Sequence, residues 1–468
     1  MNRISRKLIS TWASQGTRFL PFADAATPDL PLPRLLRLAL FQVSVGMALV
    51  LLVGTLNRVM IVELGVPASL VAVMISLPVV YAPFRALIGH RSDNHVSPLG
   101  WRRVPYIWMG TMVQFGGLAI LPFALLVLSG GGNASQWPAW IGPAGAGVAF
   151  LLVGAGLHIT QTAGLALATD LAPVESQPRV VGLMYVMMLA GSIASALVFG
   201  VLLADFSPGR LVQVIQASAV ATLVLNTVAL WKQETRRPNR PVPRERAPAF
   251  LQAWRAYSGG AHAHRRLLAI GLGTMAFGMQ DVLLEPYGGQ VLGMGVGATT
   301  QLTAALALGG LLGFTLASHI LGRGFDPFRM AAAGVLTGLV AFATVILAAS
   351  FLSVPMFASG VFLVGLGAGL FGHGTLTATM NSATKEQTGL ALGAWGAVQA
   401  TSAGIAVALG GVLNDTVGAL AARGLFGPAL AVPSSGYIFV YAVEMVMLAV
   451  TLLLMTALMG SARRPAMA

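Results

Sequence analysis

The sequence predicts an all-α membrane protein whose twelve transmembrane helices form two pseudo-symmetric six-helix bundles. Three observations predict this. Of 468 residues, 56% are hydrophobic and only 9% charged, with a mean hydropathy of +0.79; a water-soluble domain carries about 25% charge, so a soluble enzyme is excluded. A spanning helix needs roughly 20 mostly apolar residues, and such runs occur at 37–62, 66–88, 104–129, 142–168, 180–203, 208–231, 267–292, 297–320, 330–350, 354–379, 388–412 and 435–459. Finally, one long Pro- and Arg-rich stretch, 232–266, divides these runs six and six.

In chain order, residues 1–36 form a basic N-terminal segment holding Arg3, Arg6, Lys7, Arg18 and Arg34, with no cleavable signal pattern. Ile4, Leu8, Ile9, Trp12 and Phe19 alternate with these charges, which suits either an interfacial amphipathic helix or a solvated tail. The first bundle is expected over 37–231, the basic linker over 232–266, the second bundle over 267–459 and a tail over 460–468. Period-2 strands of the kind that build outer-membrane barrels are absent from the sequence pattern. The chain has 28 Lys+Arg against 15 Asp+Glu, a formal charge of +13. With the N-terminus inside, all basic residues but Arg58, Arg85, Arg210 and Arg423 fall in inner segments, so the positive-inside rule places both termini and the linker in the cytoplasm. The charge is therefore a topology and lipid signal, and no nucleic-acid partner is expected. Cysteine is absent, which excludes disulfides and thiolate chemistry.

Internal repetition supports the six-plus-six division. At an offset of 211, Asp170 falls on Asn381, Gly182 on Gly393 and Gly200 on Gly411; earlier in each half, Asn57-Arg58 lies over Gln280-Asp281. Gly89-His90-Arg91-Ser92-Asp93, followed by Gly100-Trp101-Arg102-Arg103, sits between runs 2 and 3. This resembles the loop motif of the major facilitator superfamily, in which a Gly permits a tight turn and an Asp faces basic residues. Extra residues separate Asp93 from Arg102 and Arg103, and the second half keeps only Gly322, Arg323 and Asp326.

Ionisable residues within spans are expensive and hence functional candidates. Run 7 carries Gln280, Asp281, Glu285 and Pro286. Asp281 and Glu285 share a helix face about 6 Å apart, so both ionise cheaply only with a cation or a shared proton. Pro286 removes a donor and leaves the carbonyl of Val282 free. Arg58 and Arg85 are the expected countercharges, in an ion-pair latch between the halves or in a site that handles ligand or protons. His158 and His373 lie inside spans beside Gly154, Gly156, Gly372 and Gly374. A neutral imidazole can ligate the magnesium of a chlorin, and the glycines would leave room for a flat ring; the same residues equally serve close packing with a cross-helix hydrogen bond. Asn57 and Gln161 are alternative donors. Signals for ion-coupled transport are weak: Gly182 and Gly191 open an antiporter-like spacing that Ser195 breaks, and no Walker sequence or catalytic triad occurs, so no enzymatic activity is expected.

The stretches NRVMIVELGVPA (57–68), PFRALIGHRSD (83–93), GWRRVPYIWMGT (100–111), ATDLAPVESQPRVVGLMYVM (168–187) and QDVLLEPYGG (280–289), with GTRFLPFADAATPDLPL near the N-terminus, resemble the PucC/LhaA family of purple phototrophic bacteria over nearly the whole chain. That resemblance implies a light-harvesting complex assembly factor of the major facilitator fold in the inner (intracytoplasmic) membrane. It would bind bacteriochlorophyll or a late precursor transiently and deliver it to light-harvesting α/β polypeptides. Bacteriochlorophyll synthase, reaction-centre assembly intermediates and membrane lipid would be further partners. The residues themselves leave open a secondary transporter of a small solute and a pigment-free assembly scaffold.

Overall fold

A computed structural model describes residues 25–27, 30–80, 100–173, 176–234, 263–382 and 388–459, with Ile88 and Ser92. Arg85, Gly89 and Asp93, the segment 1–24 and most of the linker lie outside the described residues. Among the described residues there is no strand. Twelve helices among the described residues follow the predicted runs: α1 Leu32–Glu63, α2 Ala68–Val80, α3 Val104–Leu128, α4 Ile141–Leu171, α5 Gln177–Leu202, α6 Pro208–Leu230, α7 Ala263–Gln290, α8 Val296–Leu321, α9 Pro327–Phe351, α10 Val354–Asn381, α11 Thr388–Ala422 and α12 Ser435–Thr456. Eleven are long and apolar enough to cross a bilayer, and α2 is apolar but shorter within its described part. Phe123, Val201 and Leu453 stand well exposed on the outer surface, an arrangement that costs little when hydrocarbon replaces water as the solvent.

Local chemistry sets the ends. Ser207, Asp326 and Ser353 cap α6, α9 and α10 by accepting from backbone N–H groups of the first turn. Asp326, expected as a remnant of the loop motif, thus serves as a helix cap. The largest boundary correction is α11, which continues ten residues beyond the predicted 412. Asn414, Asp415 and Thr416 look like the end of an apolar run, but the helix passes through them because Asp415 has a partner: its two carboxylate oxygens accept from the N–H groups of Ala68 (3.2 Å) and Ser69 (2.7 Å), capping α2.

The packing repeats between the halves. In the first, α3 lies on α4 and α6, α2 on α4, and α1 on α5 and α6; in the second, α9 lies on α10 and α12, α8 on α10, and α7 on α11 and α12. The halves meet where α5 packs on α8 and α2 on α11, two contacts that exchange under the pseudo-symmetry. Each needs a glycine. A Cβ on Gly200 would lie 3.0 Å from the Gly297 carbonyl oxygen, and one on Gly411 would lie 2.6 Å from that of Ala68. These are the paired glycines of the sequence repeat, placed where backbones approach closely.

α1 and α7 both leave α-geometry at the other repeated site. α1 is π-helical over Val50–Leu56 and Val59–Glu63, around Asn57-Arg58; α7 tightens to a 3-10 turn over Met279–Val282. Such interruptions leave backbone groups that neighbouring side chains must satisfy.

Candidate functional site

Two regions between the halves carry chemistry. They sit toward opposite ends of the bundle. One end, here the basic end, holds Arg102, Arg103, Asp170 and Arg179; the other holds the contacts of Arg58 and Asp415.

Toward the end opposite the basic one, α7 is broken four residues before Pro286. The carbonyl of Val282, freed by that proline, accepts from Asn57 Nδ2 of α1 at 3.0 Å. The N–H of Gln280 donates to Glu444 Oε1 of α12 at 2.7 Å. Asn57 and Glu444 are both fully buried. They satisfy the two main-chain groups that the break exposes, and α7 is thereby held by one helix from each half. Glu444 was not singled out in the sequence; its only signal was a lone carboxylate in the last span.

Arg58 does not meet Asp281. It pairs with Glu63 one turn along α1 and donates to the carbonyl of Met294 at 3.0 Å, crossing the halves beneath the backbone of Gly289. Among the described residues, neither Asp281 nor Glu285 makes a salt bridge. Asp281 accepts from the Gln280 amide, and Glu285 from the hydroxyl of Thr303 on α8. For Arg58 the expected latch is therefore corrected: a cross-half contact exists, but it is Arg58 to a carbonyl, because Glu63 lies on the same helix within reach and pairs with the guanidinium; Arg85, the other expected countercharge, lies outside the described residues. Thr55 and Thr300 (3.3 Å) and the Asp415 cap complete the closure at this end. Behind it, Tyr287 packs on Phe357, Tyr437 and Tyr441 with ring centroids 5.2 to 5.5 Å apart.

At the basic end the halves part. A cavity of about 730 Å³ lies among α5, α7, α8, α10 and α11, with Arg179 and Asn381 at its rim and Tyr185, His373, Trp395 and Gln399 in its wall. His373 meets Phe314 edge-on, with centroids 4.3 Å apart, and its Nδ1 is buried with no hydrogen-bond partner among the described residues. The Trp395 indole is fixed by a 3.2 Å bond to Thr375. A Cβ on Gly372 or Gly396 would meet nothing within 4 Å.

Of the four glycines expected to make room beside the histidines, only Gly372 does so. Gly154 packs on Pro78, Gly156 on the backbone of Gln114, and Gly374 on Ala331. His158 is half-buried on α4 and does not line the cavity. Asn57 is committed to Val282, and the buried Gln161 contacts Gln42 and Met188; neither reaches the cavity.

The basic end of the first half is tied by charge. Arg103 donates to Asp170 (3.0 Å) and to Ser92 (2.6 Å), and Arg102 also pairs with Asp170. The Glu234 carboxylate caps α3 through the N–H groups of Arg102, Arg103 and Val104. Arg102 and Arg103 thus hold α4 against α3, with Asp170 as the described acidic partner.

Solved structures share this fold. A bacterial homologue of the human lysosomal transporter Spinster, inward-facing and unoccupied, superposes with a TM-score of 0.67 at 14% identity, covering 91% of this chain and 96% of that one. A bacterial homologue of the iron transporter ferroportin, also inward-facing, gives 0.65 at 14% identity, covering 92% and 99%. The architecture is of the major facilitator type. Among relatives, Protein PucC of Rhodovulum sulfidophilum is 62% identical over 89% of this chain and 92% of its own length, and Protein PucC of Cereibacter sphaeroides is 55% identical over 99% of both. The Bacteriochlorophyll synthase 44.5 kDa chain of Rhodobacter capsulatus is 27% identical over 82% of this chain and 87% of its own. The model of the family described as PUCC protein matches residues 55–463. A twelve-helix bundle with this coverage and identity belongs to the PUCC protein family.

Proposed function

We propose that this chain is an assembly factor for light-harvesting complexes that takes bacteriochlorophyll, or a late precursor, as cargo and passes it to antenna α/β polypeptides. The observation that carries this reading is the cavity at the basic end. Its volume lies within the range of pockets that take large organic ligands, and its wall is mainly apolar with a few polar groups. An imidazole used as cross-helix glue finds a hydrogen-bond partner; Nδ1 of His373 has none among the described residues. His373 would supply a nitrogen ligand to the chlorin magnesium, Gly372 and Gly396 leave space beside it, and Asn381, Gln399 and Arg179 would offer donors to the carbonyl groups of a chlorin. The bound pigment supplies only its own light absorption; the protein holds it out of water and orients it. The family and its photosynthetic context support this reading, as does the relative named for bacteriochlorophyll synthase. With the basic end in the cytoplasm, following the positive-inside rule, the cavity opens toward the inner face of the bacterial membrane.

The test is purification in mild detergent followed by pigment extraction. Wild type should carry bacteriochlorophyll, and His373→Leu should lose it while protein yield and thermal stability hold. Wild type free of pigment from a pigment-producing host would remove the cargo role and favour the pigment-free scaffold or a solute transporter.

A further inference from the structure

We infer that the break in α7 forms a binding site for one dehydrated alkali cation, sodium by size. A small, partly open cavity of about 40 Å³ lies against the break, bounded among others by Gly54 of α1, Thr303 of α8 and Gln280, Asp281 and Glu285 of α7. It is separate from the large basic-end cavity and shares no residue with it.

Two side chains bounding it are more than nine-tenths buried and each keeps an oxygen without a partner. Glu285 is 5% exposed, and its Oε1 takes the Thr303 hydroxyl while Oε2 has no partner among the described residues; Gln280 is 2% exposed, and its Oε1 likewise has none among them. An unsatisfied buried carboxylate oxygen is costly, and an amide oxygen beside it doubles the deficit. Both are acceptors as described, so either a proton carried by the Glu285 carboxyl or a cation between the two groups satisfies them, and a sodium-dependent melting temperature separates the two.

Charge favours the cation. Asp281 and Glu285 bound one small space without a salt bridge among the described residues, with the Arg58 charge acting on Glu285 from a distance; Glu444, whose described partner is the N–H of Gln280, does not line that space. The Arg58 guanidinium is bound to Glu63 and to the Met294 carbonyl. Size and ligand type select the ion. The space accepts about one water-sized particle, too little for a hydrated magnesium ion, which surrenders its water reluctantly. The donors are all oxygen, which suits a hard ion. No group of three His, Cys, Asp or Glu capable of holding a metal forms among the described residues, so the set is too weakly charged for a dedicated calcium cage. A cation here would hold the broken stretch of α7 against α8, beside α1, and stabilise the closed end.

The experiment is thermal unfolding of the full-length protein in detergent at fixed pH and ionic strength, with choline replaced stepwise by sodium. Melting temperature should rise with the logarithm of sodium concentration, by about 2 °C or more over the titration, and potassium should be weaker. Glu285→Gln and Thr303→Val should abolish or shift the response to higher sodium, while Asp205→Asn in the exposed α5–α6 loop should keep it. Because Glu285→Gln can fail to fold, radioactive sodium binding to wild type and Thr303→Val is the second measurement. A flat sodium titration of wild type, or an unchanged response in both site variants, overturns the site. Pigment content is recorded in the same samples, so a failure here is distinct from a failure of the cargo reading.

Discussion

Replacing Asn57 by Leu tests the account of the α7 break. The substitution keeps the branched four-atom side chain at a somewhat larger volume, a packing cost common to both backgrounds below, and removes the amide that the Val282 carbonyl depends on. Orphaning a buried carbonyl costs about 1–3 kcal/mol, although hydrogen bonds between transmembrane helices average nearer 0.6 and reach about 1.7 kcal/mol. Asn57 also buries an Oδ1 that has no partner among the described residues, and its removal returns part of the loss. The expected net destabilisation is about 1 kcal/mol. Pro286→Ala supplies the missing control, because it restores an N–H four residues after Val282 and gives that carbonyl an intrahelical donor. Asn57→Leu should then cost much less in the Pro286→Ala background, and the double-mutant cycle read by reversible unfolding in detergent should show a coupling of about 1 kcal/mol. Equal costs in the two backgrounds would refute the argument that Asn57 serves the carbonyl left by the proline.

Further expectations concern the rest of the frame. Glu444→Ala should destabilise more than Glu444→Gln, since the amide oxygen of Gln still accepts from the Gln280 N–H; equal losses in unfolding assays would mean that the charge, not the acceptor, matters. Gly200→Leu and Gly411→Leu should each cost about 1–3 kcal/mol through overpacking against backbone and should open the closed end. Because the chain has no cysteine, Thr300→Cys provides a clean reporter whose labelling by a polar maleimide should rise in both variants. Asp170→Ala should lower stability more than Arg102→Ala, as it removes the carboxylate that the nearly buried Arg103 and the more exposed Arg102 share, whereas Arg102→Ala leaves the Arg103 pair in place. Deleting the gene should lower near-infrared antenna absorbance while the pigment-synthesis enzymes remain present; normal antenna would contradict the assembly role.

The sequence by itself determined what depends on short stretches of chain. Span number follows from the thickness of hydrocarbon, which each run of about 20 apolar residues meets independently. The division into halves follows from one polar linker, and the freed Val282 carbonyl from the covalent structure of Pro286. Even Gly200 and Gly411 were legible as a repeated pair, although not their purpose. Only the tertiary structure decided partners. Helices apolar on nearly every side show no readable inward face, because lipid and protein interior are equally acceptable to Leu and Val. Thus the sequence could not say that Arg58 turns to Glu63 and Met294, that Gly154, Gly156 and Gly374 are filled by neighbouring helices, or that of the four candidate pigment donors only His373 stands at the cavity. Glu444, Thr303 and Asp415 escaped notice for the same reason. Each acts on a helix distant in sequence, and a hydrogen bond over such a separation exists only once the bundle has brought its two ends together.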